Sequence, residues 1–297
     1  MWRVPSSRME APDPSPLETW TPRPRPLKKR LAIRASQMAA EAHEVWLLRR
    51  DDSYRNLAST YRLPDGSRRV YCHHVRKTAG TSLWSSFMAL GGEDPEVVQR
   101  RLNLDRLKRT VSGPYAYAST LRRVLAEGAY FYGRAHRPAE EQPLPPGTFT
   151  VTVLRDPLAR VHSYYDYLVA GDAEDAPGRV AMKERVLAAG GFDAFLGRVS
   201  DRDLLTQLWT FSTRFDISEA VDRIGECSHV MFTEDFAAGL ATLAGRLDLP
   251  LQPYRARTTS RRSTLTDAQR DELRHRLEPE YRLLEALAAA GVAPGTN

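Results

Sequence analysis

The stretch that most constrains this chain runs from Val70 to Phe87: Val-Tyr-Cys-His-His-Val-Arg-Lys-Thr-Ala-Gly-Thr-Ser-Leu-Trp-Ser-Ser-Phe. The run from Val70 to Val75 suits a buried strand. Leu83, Trp84, Phe87, Met88 and Leu90 recur at three- and four-residue spacing, as one face of a helix does. Gly91-Gly92 then stops that helix. The polar turn between strand and helix holds a lysine, a glycine and three hydroxyl residues. Unpaired backbone N–H groups converge where a strand turns into a helix N-terminus, so the turn reads as an anion site.

The flanking sequence alternates strands with helices. Residues 1–26 carry seven prolines and little apolar periodicity, which predicts a flexible, Pro/Arg-rich leader. A helical extension is expected within residues 27–60, packed on a domain that spans 61–297. Pro64-Asp65-Gly66 predicts a hairpin over residues 60–74. Two helical segments are expected over 94–127, divided near Ser112-Gly113-Pro114. A short strand is expected at Ala129–Gly133 and a clear one at Thr148–Leu154. The latter runs into Asp156-Pro157, an N-cap followed by proline at the first helical position, and a helix to about Val169. Residues 179–225 read as mostly helical. A strand at Ser228–Phe232 precedes a helix to about Leu247, and Thr266–Ala290 reads as one long closing helix. This pattern predicts a three-layer α/β fold with a largely parallel central sheet flanked by helices.

Bulk properties exclude some functions. The net charge is +6, but residues 1–50 hold ten Lys/Arg against five Asp/Glu and so carry +5 of it. A sequence-independent nucleic-acid binder would spread basic charge over its folded core, so no nucleic-acid partner is expected. No apolar run approaches the roughly 20 residues of a membrane span, and there is no apolar signal segment at the start. Cys72 and Cys227 alone give no disulfide framework, which points to a reducing, cytoplasmic setting.

Two constellations carry chemistry. In Lys77-Thr78-Ala79-Gly80-Thr81-Ser82 the lysine precedes the only glycine, the reverse of the Walker A order, in which lysine follows the last glycine. The N–H groups of residues 78–82 can still cradle an anion, with the hydroxyls as further donors and Lys77 as the cation. The second constellation runs from Leu154-Arg155-Asp156-Pro157 through Arg160 to Ser163-Tyr164-Tyr165. Arg155 ends a parallel strand, where open α/β sheets bind ligands and a guanidinium can hold a phosphate bidentately. Read as ordinary structure, the first is a strand–turn–helix corner and the second a surface ion pair.

Together the two constellations resemble a known family. Arg76-Lys-Thr-Ala-Gly-Thr-Ser82 is similar to the 5′-phosphosulfate loop of carbohydrate-type (heparan-type) sulfotransferases, P-K-T-A-G-T-S. Val153-Leu-Arg-Asp-Pro-Leu-Ala-Arg-Val-His-Ser-Tyr-Tyr165 is similar to their 3′-phosphate motif, L-R-D-P-x-x-R-x-x-S-x-Y. A weaker likeness covers Val230–Phe236 and the closing helix, so the resemblance spans about residues 68–288. Arg76 departs from the family, which usually has proline there.

The resemblance implies a P-loop NTPase-like fold and a transferase that uses 3′-phosphoadenosine 5′-phosphosulfate (PAPS) as co-substrate, without metal. It would move a sulfuryl group in-line to a hydroxyl of a carbohydrate or glycosylated small molecule. Lys77 would neutralise charge on the leaving oxygen, residues 76–82 would hold the 5′-phosphosulfate, and Arg155 with Ser163 would hold the 3′-phosphate. Arg257, Arg261 and Arg262 could close over the nucleotide. His136 is the candidate general base, with Glu140 and Glu141 as alternatives; His73 and His74 read as structural. Two other functions fit part of this pattern: a nucleotide-dependent phosphotransferase (kinase) on a P-loop fold, and a non-catalytic nucleotide-binding module.

Overall fold

The computed structural model describes residues 63–90, 94, 111–112, 115–118, 125–126, 128, 130–169, 186–188, 190–254 and 263–293, with seven positions between Leu27 and Ala42. The leader at 1–26 and the arginines at 255, 257, 261 and 262 lie outside the described residues. The chain is α/β. One six-stranded sheet has the order β2-β3-β4-β1-β5-β6. Its strands are β1 Arg69–His73, β2 Val111–Ser112, β3 Tyr115–Ala118, β4 Tyr132–Ala135, β5 Thr148–Leu154 and β6 His229–Phe232. Every neighbouring pair is parallel except the β2–β3 edge.

Among the described residues, the helices with both ends described are α1 Gly80–Ala89, α2 Pro157–Val169, α3 Gly191–Leu196, α4 Asp201–Leu204, α5 Thr206–Phe211, α6 Ile217–Gly225, α7 Phe236–Leu247, α8 Asp267–Arg276 and α9 Glu278–Ala289. Strand alternation assigns the two faces of the sheet. Val70 and Cys72 of β1, with Phe149, Val151 and Val153 of β5 and Met231 of β6, pack in one core with Leu83, Trp84 and Phe87 of α1 and Leu240, Leu243 and Leu247 of α7. Leu154, Val230 and Phe232 belong to the opposite core, with α2, α5, α6, α8 and α9. These are the three expected layers.

Several expected elements are corrected. The turn at Pro64-Asp65-Gly66 closes, with the Leu63 N–H donating to Ser67 O at 2.8 Å. It does not make β1 half of a hairpin, because both edges of β1 are taken by the parallel strands β4 and β5. Residues 111–112 and 115–118 pair as antiparallel strands where the sequence predicts a break between helices, and most of the two helical segments expected over 94–127 lie outside the described residues. The expected strand at 129–133 lies at 132–135. The closing helix is two helices divided at Leu277, with Pro279 in the first turn of α9, where its missing N–H costs nothing. Leu27, Leu31, Ala35, Met38 and Ala42 are helical as expected, but exposed rather than packed on the domain.

The caps fall where the sequence places them. The Asp156 carboxylate accepts the Ala159 N–H at 2.7 Å, and Thr266 with Gln269 forms a capping box.

Candidate active site

The carboxyl ends of the three central strands, β4, β1 and β5, lie side by side, and open α/β sheets bind ligands at such ends. His136 follows β4, the Lys77 turn follows β1, and Arg155 follows β5. Glu234, just past β6, accepts the Asp156 N–H at 2.9 Å and ties the fourth strand end to the group.

The turn has an unusual backbone. Lys77 and Ala79 adopt φ of 68° and 58°, the left-handed region normally left to glycine. Each such residue costs about 1–2 kcal/mol and persists only where its surroundings fix it. Here the Thr78 hydroxyl, buried, donates to Val75 O at 3.0 Å, and the Leu83 N–H returns to Ala79 O at 3.0 Å. Thr78 is therefore a brace for the turn, not the hydroxyl donor that the sequence suggests. Among the described residues, no partner takes the N–H groups of residues 78–82 or the hydroxyls of Thr81 and Ser82. A left-handed kink that leaves successive N–H groups facing one way makes a concave anion site.

Gly80 is needed for a different reason. A Cβ on it would lie 2.0 Å from Nε2 of His74, whose buried imidazole fills the space. The carbonyl of Gly80 accepts Arg134 Nη1 at 2.9 Å.

The two sequence motifs meet here. Arg155 Nη1 donates to Lys77 O at 3.0 Å, bridging the strand ends of β5 and β1. The Lys77 ammonium lies 4.4 Å from the ring centroid of Tyr167 on α2. Ser163 is partly buried one turn before Tyr167 on the same face, as the four-residue spacing dictates. Neighbouring His162 turns elsewhere, onto Ser263 Oγ at 2.8 Å.

A shallow, open depression lies beside the turn, lined by His74, Arg76, His136, Asp203 and Trp209, with Arg202, Thr206 and Thr210. Arg76 pairs there with Asp203 at 3.1 Å, so the departure from proline adds a cation to its lining. His136 Nδ1 lies 2.7 Å from His74 O. A carbonyl only accepts, so Nδ1 carries the proton and Nε2 keeps its lone pair. Burial, then the charges of Arg76 and Arg134, lower the His136 pKa and favour the neutral ring. Glu140 is held by Arg223 at 2.6 Å and by Thr213, outside the lining of the depression. Glu141 is exposed and also absent from that lining. Asp203, Tyr167 and Glu234 were not singled out from the sequence, because their partners stand on distant strands and helices.

His73 and His74 are both buried beneath the site. Burial pushes the His73 pKa down to about 4, and burial followed by His136 and the nearby arginines pushes that of His74 well down. The unfolded chain takes up these protons near pH 6.5 and the folded chain does not. Their contribution is therefore full above pH 6.5 and is lost as pH falls toward 4. Urea unfolding at pH 5 should give about 2 kcal/mol less stability than at pH 7 from His73 alone. Equal stabilities at the two pH values would mean that His73 is not held neutral.

Among the described residues, no cluster of three or more His, Cys, Asp and Glu could hold a metal ion, and no helix is long and apolar enough to cross a membrane. No protein-family model matches the chain, and comparison with curated proteins finds no match.

Proposed function

We propose that this chain is a PAPS-dependent sulfotransferase on a P-loop NTPase-like framework, moving a sulfuryl group to a hydroxyl of a carbohydrate or glycosylated small molecule. The observation that carries this reading is the meeting of the two motifs. Arg155 grips the carbonyl of Lys77, and the turn beyond it leaves a row of N–H groups without described partners. That arrangement suits a ligand with two anionic groups, one in the turn and one near Arg155.

The residues present fit such a nucleotide. Residues 76–82 would hold its 5′-phosphosulfate, and Arg155 with Ser163 its 3′-phosphate. When bound, PAPS supplies the activated sulfuryl group. Lys77 would neutralise charge developing on the leaving oxygen, and positioning would supply the rest, as in phosphoryl transfer. The acceptor would approach over the open surface beside Arg76 and Trp209, and Nε2 of His136 would take the proton of its hydroxyl.

Thermal unfolding tests the reading. PAPS or its product 3′-phosphoadenosine 5′-phosphate, at 100 times its Kd, should raise Tm by roughly 5–10 °C. ATP with Mg²⁺ at the same concentration should raise it far less. Equal shifts would favour a phosphotransferase and defeat the proposal.

A further inference from the structure

We infer that Gln207 is a positioning residue for Arg155, and that Glu280 and Arg160 hold Gln207 in that task; this rests on the nucleotide reading above. Gln207 lies on α5 and is fully buried, beside the buried Arg160 and Glu280. Its side-chain amide closes a two-point ring on the backbone of Arg155. The Arg155 N–H donates to Gln207 Oε1 at 2.8 Å, and Gln207 Nε2 donates to Arg155 O at 3.0 Å. An amide is the one neutral side-chain group that both donates and accepts in that geometry.

The orientation of the amide is set from behind. Glu280 of α9 is fully buried, and its carboxylate accepts Gln207 N–H at 2.7 Å and Gln207 Nε2 at 3.1 Å. A carboxylate presents only acceptors, so the NH₂ must face Glu280 and the oxygen must face Arg155. Arg160, also buried, neutralises Glu280 at 3.3 Å and donates to the carbonyls of Asp203 and Leu204. Asp203 is the residue that holds Arg76.

This arrangement fixes Arg155 at both ends. Gln207 clamps its backbone where β5 stops, and Lys77 O takes its guanidinium. The same cluster braces the segment that orients Arg76. A purely structural account explains why Arg160 and Glu280 are paired. It does not explain why an amide is placed on both backbone atoms of the arginine that ends the central strand.

The test compares the affinities of 3′-phosphoadenosine 5′-phosphate and AMP, which lacks the 3′-phosphate, by calorimetry on the full chain. Gln207→Met keeps volume and removes both bonds to Arg155. The ratio of the two Kd values should shrink about tenfold, the cost of one weakened charge-assisted contact, while AMP binding changes little. Leu243→Ala, a buried change in the opposite core, should lower Tm and leave the ratio alone. If Gln207→Met does not fold, Gln207→Leu also removes both bonds without setting a second charge beside Glu280, and should also shrink the ratio. A wild-type ratio in a folded Gln207 variant overturns the positioning role and leaves the nucleotide reading standing. A wild-type protein that binds the two nucleotides equally overturns the nucleotide reading, and this inference with it.

Discussion

Lys77→Ala is expected to lower sulfuryl transfer by about 100- to 1000-fold, the effect of removing one group aimed at developing charge. Product nucleotide binding should fall by only about tenfold, since a single charge-assisted contact contributes about 1.5 kcal/mol. On the proposed mechanism the split arises because the ammonium matters most when the leaving oxygen gains charge. The left-handed backbone at position 77 does not select lysine, so alanine leaves the turn's conformation much as it was. Single-turnover rates and calorimetric Kd values, measured on the same preparation, make the comparison. Turnover within a few-fold of wild type would remove Lys77 from the chemistry. Matched losses in rate and affinity would make it a binding group only.

Gly80→Ala is expected to destabilise the fold by about 1–3 kcal/mol, the usual cost of forcing atoms into a packed site. The new methyl would meet the His74 ring at 2.0 Å. That ring has little room to retreat, since it is buried and lies 4.1 Å from the ring of His136. Relief would move His74, and with it the carbonyl that orients His136. Denaturant unfolding should show the loss, and the double variant Gly80→Ala with His74→Ala should show less than the sum of the two single losses. Additive losses would mean that the glycine and the histidine do not compete for one space.

Much of this architecture is legible in the order of residues, and the reasons are local. Strand β5 and helix α2 are bounded by Asp156 and Pro157, a cap and a proline that admit few alternatives. The turn after β1 follows from a change of period, from a short apolar run to three- and four-residue spacing. What stays hidden is pairing at a distance. Nothing in Pro64-Asp65-Gly66 discloses that β4 and β5 already occupy both edges of β1. In residues 115–118 the tyrosine–alanine alternation marks a strand, but the Gly-Pro beside it reads equally well as a break between helices. The ties from Gln207 to Arg155 and from Glu280 to Arg160 span 52 and 120 residues. A signal for them did exist: a glutamine between the apolar positions of a core helix, and an acid on the buried stripe that also holds Leu283 and Leu287. Groups of that kind are rarely buried without a partner.

The brace behind Arg155 also has a bearing on biosynthesis. Lys77 emerges from the ribosome about 200 residues before Glu280, and at typical rates of synthesis that interval is roughly 10–40 s. Throughout it the turn exists without the carboxylate that orients Gln207, and its two left-handed residues lack part of their support. On the proposed reading, a nucleotide could stabilise the nascent chain fully only after α9 has been made.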